Sequence, residues 1–348
     1  MGPEAFDWHA RTYVMGILNL TPDSFSGDGL LPKNAGDRPE QAQASNESGP
    51  ARAADQEQTS IEAGAARAAD RAETSIEAGA ARVILQAQAF IEYGSARVML
   101  QAQEFIDAGA DILDIGGEST RPGSTTVSEA EELGRVLPAV REIHSRFPEI
   151  LISIDTYKAG VAAAALDSGA GLVNDVWGLR GDPDMAGLIA ARGVPAVLMH
   201  NRLTPNSAEL RARLGGRYVG VQYDNLLEDV KSELMASVAI AHAAGVRDEQ
   251  IILDPGLGFG KTVPQSLELL NRLDEICALG YPVLIGPSRK SFIGYTLDLP
   301  LEERIEGTAA AVAIGIERGA SIVRVHDVKE MVRVARMADA ILADAIVR

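Results

Sequence analysis

Short apolar segments alternate with longer amphipathic segments along most of this chain. Eight apolar segments are bounded by Gly, Pro, Asn or Asp and are apolar on both faces, which is typical of strands buried in a parallel sheet. These predicted strands are Thr12–Leu18, Asp111–Ile115, Leu151–Ile154, Gly171–Val173, Pro195–Met199, Ile251–Leu253, Pro282–Ile285 and Ser321–Val325.

The longer segments between the predicted strands have helical spacing. They include Ser128–Arg146, Gln222–Ala244, Pro264–Leu279, Leu301–Arg318 and Val328–Ala345. Eight strand–helix pairs predict an α/β protein that closes into a (β/α)8 TIM barrel, and 348 residues is a usual length for one such barrel. A doubly wound open sheet is the alternative, but it seldom needs eight strands.

Residues 51–110 consist of four tandem repeats of 15 residues, rich in Ala, Glu, Gln and Arg and without proline, which favours helix. The fourth repeat runs directly into the second predicted strand, so we expect it to be the first outer helix of the barrel. The other three look like duplicated copies of that helix, and the glycine near the end of each repeat can end a helix and start a hairpin.

The repeats divide the chain into three predicted parts. Residues 1–32 hold the first strand and its mobile loop, 33–95 hold a linker and the helical repeat insertion, and 96–348 hold the rest of the barrel. The linker, 33–50, is polar and rich in Gly, Pro, Asn and Gln. The insertion is either a surface appendage without a catalytic role or an arm for oligomerisation or for binding a partner.

Charge and cysteine content exclude several classes of function. A formal net charge of -17 predicts repulsion from nucleic acid and from anionic membranes. The single cysteine, Cys277, excludes a disulfide framework within the chain and argues against a cysteine zinc site. We find neither a signal peptide nor an apolar run of the roughly 20 residues that a membrane span needs. The sequence therefore predicts a cytoplasmic protein.

Polar residues follow all eight predicted strands. Active sites of such barrels lie at the carboxyl ends of the strands, so these residues are expected to converge. One set, Asp155, Asn174, Asp254 and Lys290, offers carboxylates, an amide and an ammonium to a flat heterocycle. A second set, Asn19, Arg121, Arg324 and His326, suits phosphate oxygens and a hard cation such as magnesium.

Each of these residues also has an ordinary structural interpretation. Asp155 alone could be a helix N-cap, and 256–260 could be only a tight glycine-rich turn. Lys158 and Lys261 are expected to be solvated. The functional interpretation therefore depends on the whole set of residues at the strand ends.

With all eight loops considered, the sequence resembles the dihydropteroate synthase family of the folate pathway. The resemblance covers 12–30 and essentially all of 96–348, in the order of the family. The matching segments are GILNLTPDSFS, DIGGESTRPGS, SIDTYK, LVNDVWG, LMHNR, ILDPGLGFGK, IGPSRKSFIG and EGTAAAVAIGIERGASIVRVHDV.

The resemblance implies a transferase that condenses 6-hydroxymethyl-7,8-dihydropterin pyrophosphate with p-aminobenzoate and releases pyrophosphate. By similarity, Asp155, Asn174, Asp254 and Lys290 hold the pterin, and Asn19, Arg324 and His326 hold the pyrophosphate. Asn19 would be the ligand of Mg²⁺. The aminobenzoate site would be shaped by Phe259, Ser288, Thr120, Arg121 and Pro122, with Phe25 in the mobile first loop and Gly286 also at the substrate.

The chemistry implied by the resemblance needs no covalent nucleophile. Asp155, Lys290, Arg324 and His326 would be the catalytic residues, an ionised Asp155 or Asp254 would stabilise the cationic pterin methylene, and Mg²⁺, Arg324 and His326 would balance the charge of the leaving pyrophosphate. The first two loops would close over the site and exclude water. The resemblance also implies a homodimer formed through the last helices. It further implies that the protein is a target of sulfonamides.

Two departures from the family pattern stand near the first loop. The family usually has Asp-Gly-Gly after SFS, whereas this chain has Gly27-Asp28-Gly29, and the repeat insertion follows directly. We expect chemistry to survive because every motif residue is present. Two alternatives remain: a methyltransferase that binds methyltetrahydrofolate on a similar barrel, which should not need GESTRPG or the pair Arg324 and His326, and a non-catalytic barrel scaffold that displays the repeats.

Overall fold

Eight parallel strands form one sheet in a computed structural model that describes residues 7–8, 10–21, 96–119, 126–202 and 221–346. The sheet order is β6-β5-β4-β3-β2-β1-β8-β7, and a parallel bridge between Leu253 and Val283 joins its two ends. The strands are β1 Tyr13–Asn19, β2 Ile112–Gly116, β3 Leu151–Asp155, β4 Leu172–Asp175, β5 Ala196–Met199, β6 Ile251–Asp254, β7 Leu284–Ile285 and β8 Ile322–Val325. The predicted TIM barrel is confirmed.

Helices connect successive strands, as a parallel sheet requires. The described part of α1 covers 96–108. The other helices are α2 Glu129–Arg146, α3 Ala159–Asp167, α4 Met185–Arg192, α5 Leu226–Ala243, α6 Val263–Asn271, α7 Asp274–Cys277, α8 Ser291–Leu297, α9 Ile305–Glu317 and α10 Val328–Ile346.

The apolar core has two parts because side chains of a strand alternate between its two faces. One part lies between the barrel and its outer helices and includes Leu113, Ile115 and Ile154. The other fills the inside of the barrel near the amino ends of the strands. It consists of Tyr13, Met15, Ile112, Leu151, Leu172, Val197, Ile252, Leu284 and Ile322. This inner cluster closes the bottom of the barrel and leaves its top for polar residues.

The predicted strands and helices agree with the structure apart from shifts at their ends and breaks inside predicted helices. The predicted helix Gln222–Ala244 begins only at Leu226, because the side chain of Asn225 caps it by accepting from the Glu228 N–H. The predicted helix Pro264–Leu279 is interrupted at Arg272, whose φ of -112° and ψ of 31° are not helical, so it forms α6 and α7. The last predicted helix, Val328–Ala345, is confirmed as α10.

The fourth repeat supplies α1, as predicted. Phe105 of this helix is buried against β1, and a Cβ atom at Gly16 would lie 2.6 Å from its ring. Gly109, with φ of +98°, follows the end of the helix, the position at which a glycine is favoured. The linker 33–50, repeats one to three (51–95) and the loop at Gly27-Asp28-Gly29 lie outside the described residues, so the predicted division into parts stays a prediction.

None of the helices in the described ranges is both long and apolar enough to cross a membrane.

Candidate active site

The polar residues predicted at the strand ends lie on the inner face of the barrel. Asn174, Asp254 and Arg324 each come two positions after a residue of the inner apolar cluster, and alternate positions of a strand share a face. The period of the strands therefore brings these side chains together above the apolar bottom of the barrel.

Arg324 is the centre of an ionic cluster inside the barrel. Its Nε donates to Oδ2 of Asp114 at 2.6 Å, and its Nη2 donates to Oδ2 of Asp155 at 2.6 Å. Burial disfavours the guanidinium cation, but the two carboxylates outweigh burial and raise its pKa above the ordinary value. Arg324 therefore stays charged, and it joins the two sets of residues that the sequence suggested separately.

Asp114 is a candidate that sequence analysis missed. It lies inside β2 rather than after it, is fully buried, and its Oδ2 also accepts from Nδ2 of Asn174 at 3.0 Å. The sequence contains a signal for it, namely a charged residue at an inward position of a buried strand. Such a residue is seldom fully buried unless it is paired.

Two carboxylate oxygens in this cluster have no hydrogen-bond donor from the described part of the protein. They are Oδ1 of Asp114 and Oδ1 of Asp155, both buried. Buried polar atoms normally have a partner, and ionised carboxylates only accept hydrogen bonds. The arrangement therefore fits a ligand that presents N–H donors to the barrel.

Burial sets the protonation of the two acidic residues at the ends of β3 and β6. Burial, reinforced by the nearby carboxylate of Asp114 and opposed by Arg324, raises the pKa of Asp155 to about 7. Burial also raises the pKa of Asp254, while the positive charge of Lys290 opposes the shift. Oδ1 of Asp254 accepts from the Gly256 N–H at 2.7 Å, which ties this carboxylate to the following loop.

Lys290 contacts the same loop. Its Nζ donates to the carbonyl oxygen of Leu257 and lies 4.7 Å from the centre of the Phe259 ring, within range of a cation–π interaction. Gly286 borders Lys290 and Arg324, because a Cβ atom there would lie within 3.9 Å of each. The structure therefore places both Phe259 and Gly286 close to the Lys290 ammonium.

Ser288 and His326 form the third part of the site. The Oγ of Ser288 accepts from the His326 N–H at 3.1 Å and lies 3.0 Å from Nδ1 of the ring, so it orients the imidazole. Arg289 has φ of +53°, which is uncommon for any residue except glycine. Its guanidinium pairs with Asp327, and its N–H donates to Oγ1 of Thr308 at 3.0 Å. These contacts maintain the strained turn between Ser288 and Lys290.

Of the remaining candidates, only Asn19 belongs to the described residues. Asn19 ends β1 and is paired in register with Gly116 of β2. Four residues that the sequence assigned to the substrate lie outside the described residues, and their roles stay predictions. They are Phe25, Thr120, Arg121 and Pro122.

Three of the ordinary structural interpretations can be compared with the structure. Asp155 is not the N-cap of α3, because the cap is Lys158. The expectation that both lysines are solvated is wrong: Nζ of Lys158 binds Glu118 and Glu132, and Lys261 is only 2% exposed. Lys261 is enclosed because the loop after β6 turns back over it.

Cys277 has the properties of a packed thiol rather than of a nucleophile. It lies in α7 and packs against the core, and burial raises its pKa to about 11, so little thiolate forms at neutral pH.

The donor atoms present suit a magnesium ion that is carried by a phosphate ligand. The described ranges contain no group of three or more His, Cys, Asp and Glu residues that could hold a metal. Magnesium usually keeps several waters and binds one or two protein oxygens together with substrate phosphates. The amide oxygen of Asn19 could be one of these protein oxygens. A site made only of protein ligands would not match this way of binding magnesium.

Comparisons with known proteins find relatives over most of this chain. The family model "Pterin binding enzyme" matches residues 89–326. The chain is 42% identical over 343 residues to a dihydropteroate synthase of Clostridium beijerinckii, covering 98% of each chain. It is 51% identical over 234 residues to that of Bacillus subtilis, covering 67% of this chain and 76% of the relative.

Solved structures show the same similarity. A dihydropteroate synthase from Clostridium difficile, determined in the presence of pteroic acid, is 39% identical with a TM-score of 0.71, covering 97% of this chain and 98% of that one. The enzyme of Yersinia pestis with a sulfonamide drug is 31% identical with a TM-score of 0.71, covering 96% and 95%.

Proposed function

Because the chain belongs to the dihydropteroate synthases of the pterin-binding family, we propose that separate groups of residues in its barrel bind the pterin, the pyrophosphate and the amine. The enzyme condenses 6-hydroxymethyl-7,8-dihydropterin pyrophosphate with p-aminobenzoate in folate biosynthesis. The bond from the pterin methylene to the pyrophosphate oxygen breaks, a bond to the amine nitrogen forms, and the amine loses a proton.

The pterin ring is proposed to bind Asp114, Asp155, Asn174, Asp254 and Lys290. The observation that carries this assignment is the pair of buried carboxylate oxygens of Asp114 and Asp155 that no described residue satisfies. A pterin has ring N–H and amino donors for such acceptors, and an ionised carboxylate near the ring stabilises a cationic methylene.

The pyrophosphate is proposed to bind Asn19, Arg324 and His326. Arg324 is cationic and is already held by Asp114 and Asp155, so it needs little reorganisation to face developing negative charge. Ser288 holds the His326 ring in place. Mg²⁺ held by Asn19 and the substrate would supply further charge neutralisation to the leaving group.

The aminobenzoate is proposed to bind beside Phe259 and Ser288, with Thr120, Arg121 and Pro122 from the second loop and Phe25 from the first. Attack by the amine needs no covalent enzyme intermediate.

The proposed activity is tested by mass spectrometry of the product. Purified protein with both substrates and Mg²⁺ should form dihydropteroate, and omission of either substrate should abolish the product. Methyl transfer from methyltetrahydrofolate by a folded protein that forms no dihydropteroate would instead support the methyltransferase alternative.

A homodimer is the proposed assembly. Met337 and Ile341 of α10 are 61% and 57% exposed, and together with Ala313 of α9 they line an apolar groove between the last two helices. A second copy covering this groove would remove it from water. Sedimentation should give twice the mass of the chain, and Met337→Glu should shift the enzyme towards monomer.

The remaining assignments follow the family. Sulfonamides are proposed to compete with p-aminobenzoate, and the cytoplasm is the proposed location. Neither nucleic acid nor membrane is a proposed partner, in keeping with the net charge of -17.

A further inference from the structure

A buried hydrogen-bond network links the loop after β6 to helix α5. We propose that Lys261 is a positioning residue whose ammonium holds residues 256–260 in the shape that places Lys290 and Phe259 for the reaction. The inference rests on the proposed function, because that function assigns Lys290 and Phe259 to the substrates.

The surroundings of Lys261 match the three donors of an ammonium group. Its Nζ lies 3.0 Å from the carbonyl oxygen of Gly256, 3.1 Å from that of Phe259 and 2.9 Å from Nδ1 of His200. Lys261 is 2% exposed, so water contributes little to its solvation. Burial lowers its pKa to about 7, and the negative charge of Asp254 opposes the shift. With two carbonyl oxygens and Nδ1 of His200 as acceptors, only the charged form has one donor for each of them.

The network continues from Lys261 to α5. Because Nδ1 of His200 accepts from Lys261, a neutral ring carries its proton on Nε2, and this nitrogen lies 3.0 Å from Oε2 of Glu233. Burial, together with the charge of Lys261, lowers the pKa of His200 to about 4 and so keeps the ring neutral. Glu233 also accepts from Nε of Arg202 at 2.6 Å. A helix of the outer layer thus fixes the position of the lysine.

The loop is built around the ammonium. Gly256, Gly258 and Gly260 have φ of +69°, +79° and +62°, and a Cβ atom at Gly256 would lie 2.1 Å from the carbonyl oxygen of His200. A side chain at Gly256 therefore cannot be accommodated, and the backbone passes close to β5. The tight curvature turns the carbonyl groups of residues 256 and 259 towards Lys261.

Lys290 contacts the same loop whose carbonyl groups, at Gly256 and Phe259, accept from Lys261. The Leu257 carbonyl accepts from Nζ of Lys290, and the Phe259 ring lies 4.7 Å from the same Nζ. The charge of Lys261 also counteracts the effect of burial on the pKa of Asp254. Loss of the ammonium would leave the Gly256 carbonyl with only the Phe259 N–H as its donor and would remove a donor from the Phe259 carbonyl, which would loosen the support of Lys290.

The test compares Lys261→Met with Lys261→Arg and with a matched control, Lys231→Met. Lys231 lies on α5 and pairs with Glu228 and Glu275, away from the loop. Thermal unfolding identifies the folded variants, and kcat and the KM for each substrate are then measured well below the unfolding temperature. We expect Lys261→Met to lower kcat by about tenfold to a hundredfold and to raise the KM of the pterin substrate, because small displacements of positioning groups have effects of this size.

Recovery by Lys261→Arg of part of the lost kcat, with Lys231→Met within about twofold of the wild type, would support positioning by a cation. A folded Lys261→Met enzyme with a lower Tm but unchanged kcat and KM would overturn the proposal, because that result describes a stabilising residue only. If Lys261→Met does not fold, Glu233→Gln replaces it, and unchanged kcat and KM in that variant would overturn the proposal as well. A folded wild-type protein without turnover would contradict the proposed function instead.

Discussion

At the scale of single residues, Arg324 determines how the site is organised. Its guanidinium bridges a carboxylate of β2 and a carboxylate of β3, so the pterin and pyrophosphate regions share one cation. Breaking such a pair leaves a charge only partly compensated, which costs more than the pair itself contributes.

Asp114→Asn should weaken the site strongly although it changes only one oxygen. The variant loses the charge that holds Arg324 and Asn174, and hydrogen bonds to charged groups contribute about 1.5–3 kcal/mol, or roughly a tenfold to hundredfold effect. We expect kcat/KM for the pterin substrate to fall by that factor. Asp184→Asn is the matched control because Asp184 is exposed at the start of α4. Equal kcat/KM values for both variants and the wild type would contradict a role for Asp114.

Asp155 should make pterin binding depend on pH. Burial raises its pKa to about 7, so the carboxylate loses its charge as the pH falls below that value. The Kd of a pterin without phosphate should decrease as the pH rises from about 5.5 to about 7.5, by up to about tenfold per unit. A ligand without phosphate is needed because phosphate titrates in the same range. The Asp155→Asn variant should lack this dependence, and a pH-independent Kd in the wild type would exclude the assigned role.

The raised pKa of Asp155 makes the free energy of unfolding change with pH in the direction opposite to pterin binding. The folded protein binds the proton of Asp155 more tightly than the unfolded chain does, because an aspartate in water has an ordinary pKa of 3.8. The free energy of unfolding contributed by this group therefore falls as the pH rises from about 4 to about 7. Activity and stability change in opposite directions over this range.

At the scale of elements, the alternation of short apolar segments with longer amphipathic segments was sufficient to predict the barrel. Strands buried on both faces and polar residues after each strand are direct consequences of a closed parallel sheet. The ends of helices were predicted less well, because capping by Asn225 and the break at Arg272 depend on individual side-chain contacts.

Two important residues could not be placed from the pattern. Asp114 was hidden in a segment that is otherwise apolar, and Lys261 resembled the solvated lysines that usually follow a glycine-rich turn. Their burial depends on contacts with distant residues: Arg324 is 210 positions from Asp114, and His200 is 61 positions from Lys261. Local composition does not contain this information.

Deletion of 51–95 should leave the catalytic residues functional. The repeat that follows this segment, residues 96–110, already supplies α1 and buries Phe105 against β1. We expect kcat within about threefold of the full chain, a small change because the motif residues are all retained. Circular dichroism should confirm folding, and a folded deletion variant without activity would show that the repeats contribute to catalysis.

At the scale of the whole molecule, the apolar residues that stabilise the barrel and the charged residues proposed for the reaction lie in different parts of it. Apolar residues fill its bottom and the interface with its helices, whereas the charged residues Asp114, Asp155 and Arg324 lie inside the barrel above the apolar bottom. The strand–helix pattern predicted the TIM barrel and the resemblance to the family predicted the reaction, and the comparisons confirm both. The roles of the individual residues stay predictions until they are measured.

Pyrophosphate release by the purified enzyme, compared with its Asp155→Asn variant, is the most direct test of the proposed role of the charged residues inside the barrel. With dihydropterin pyrophosphate, p-aminobenzoate and Mg²⁺ present, we predict release that depends on the amine and that falls at least about tenfold in the folded variant, because its carboxylate charge is lost. Unchanged release in Asp155→Asn, or release without the amine, would contradict the claim that the charged residues inside the barrel carry out this condensation.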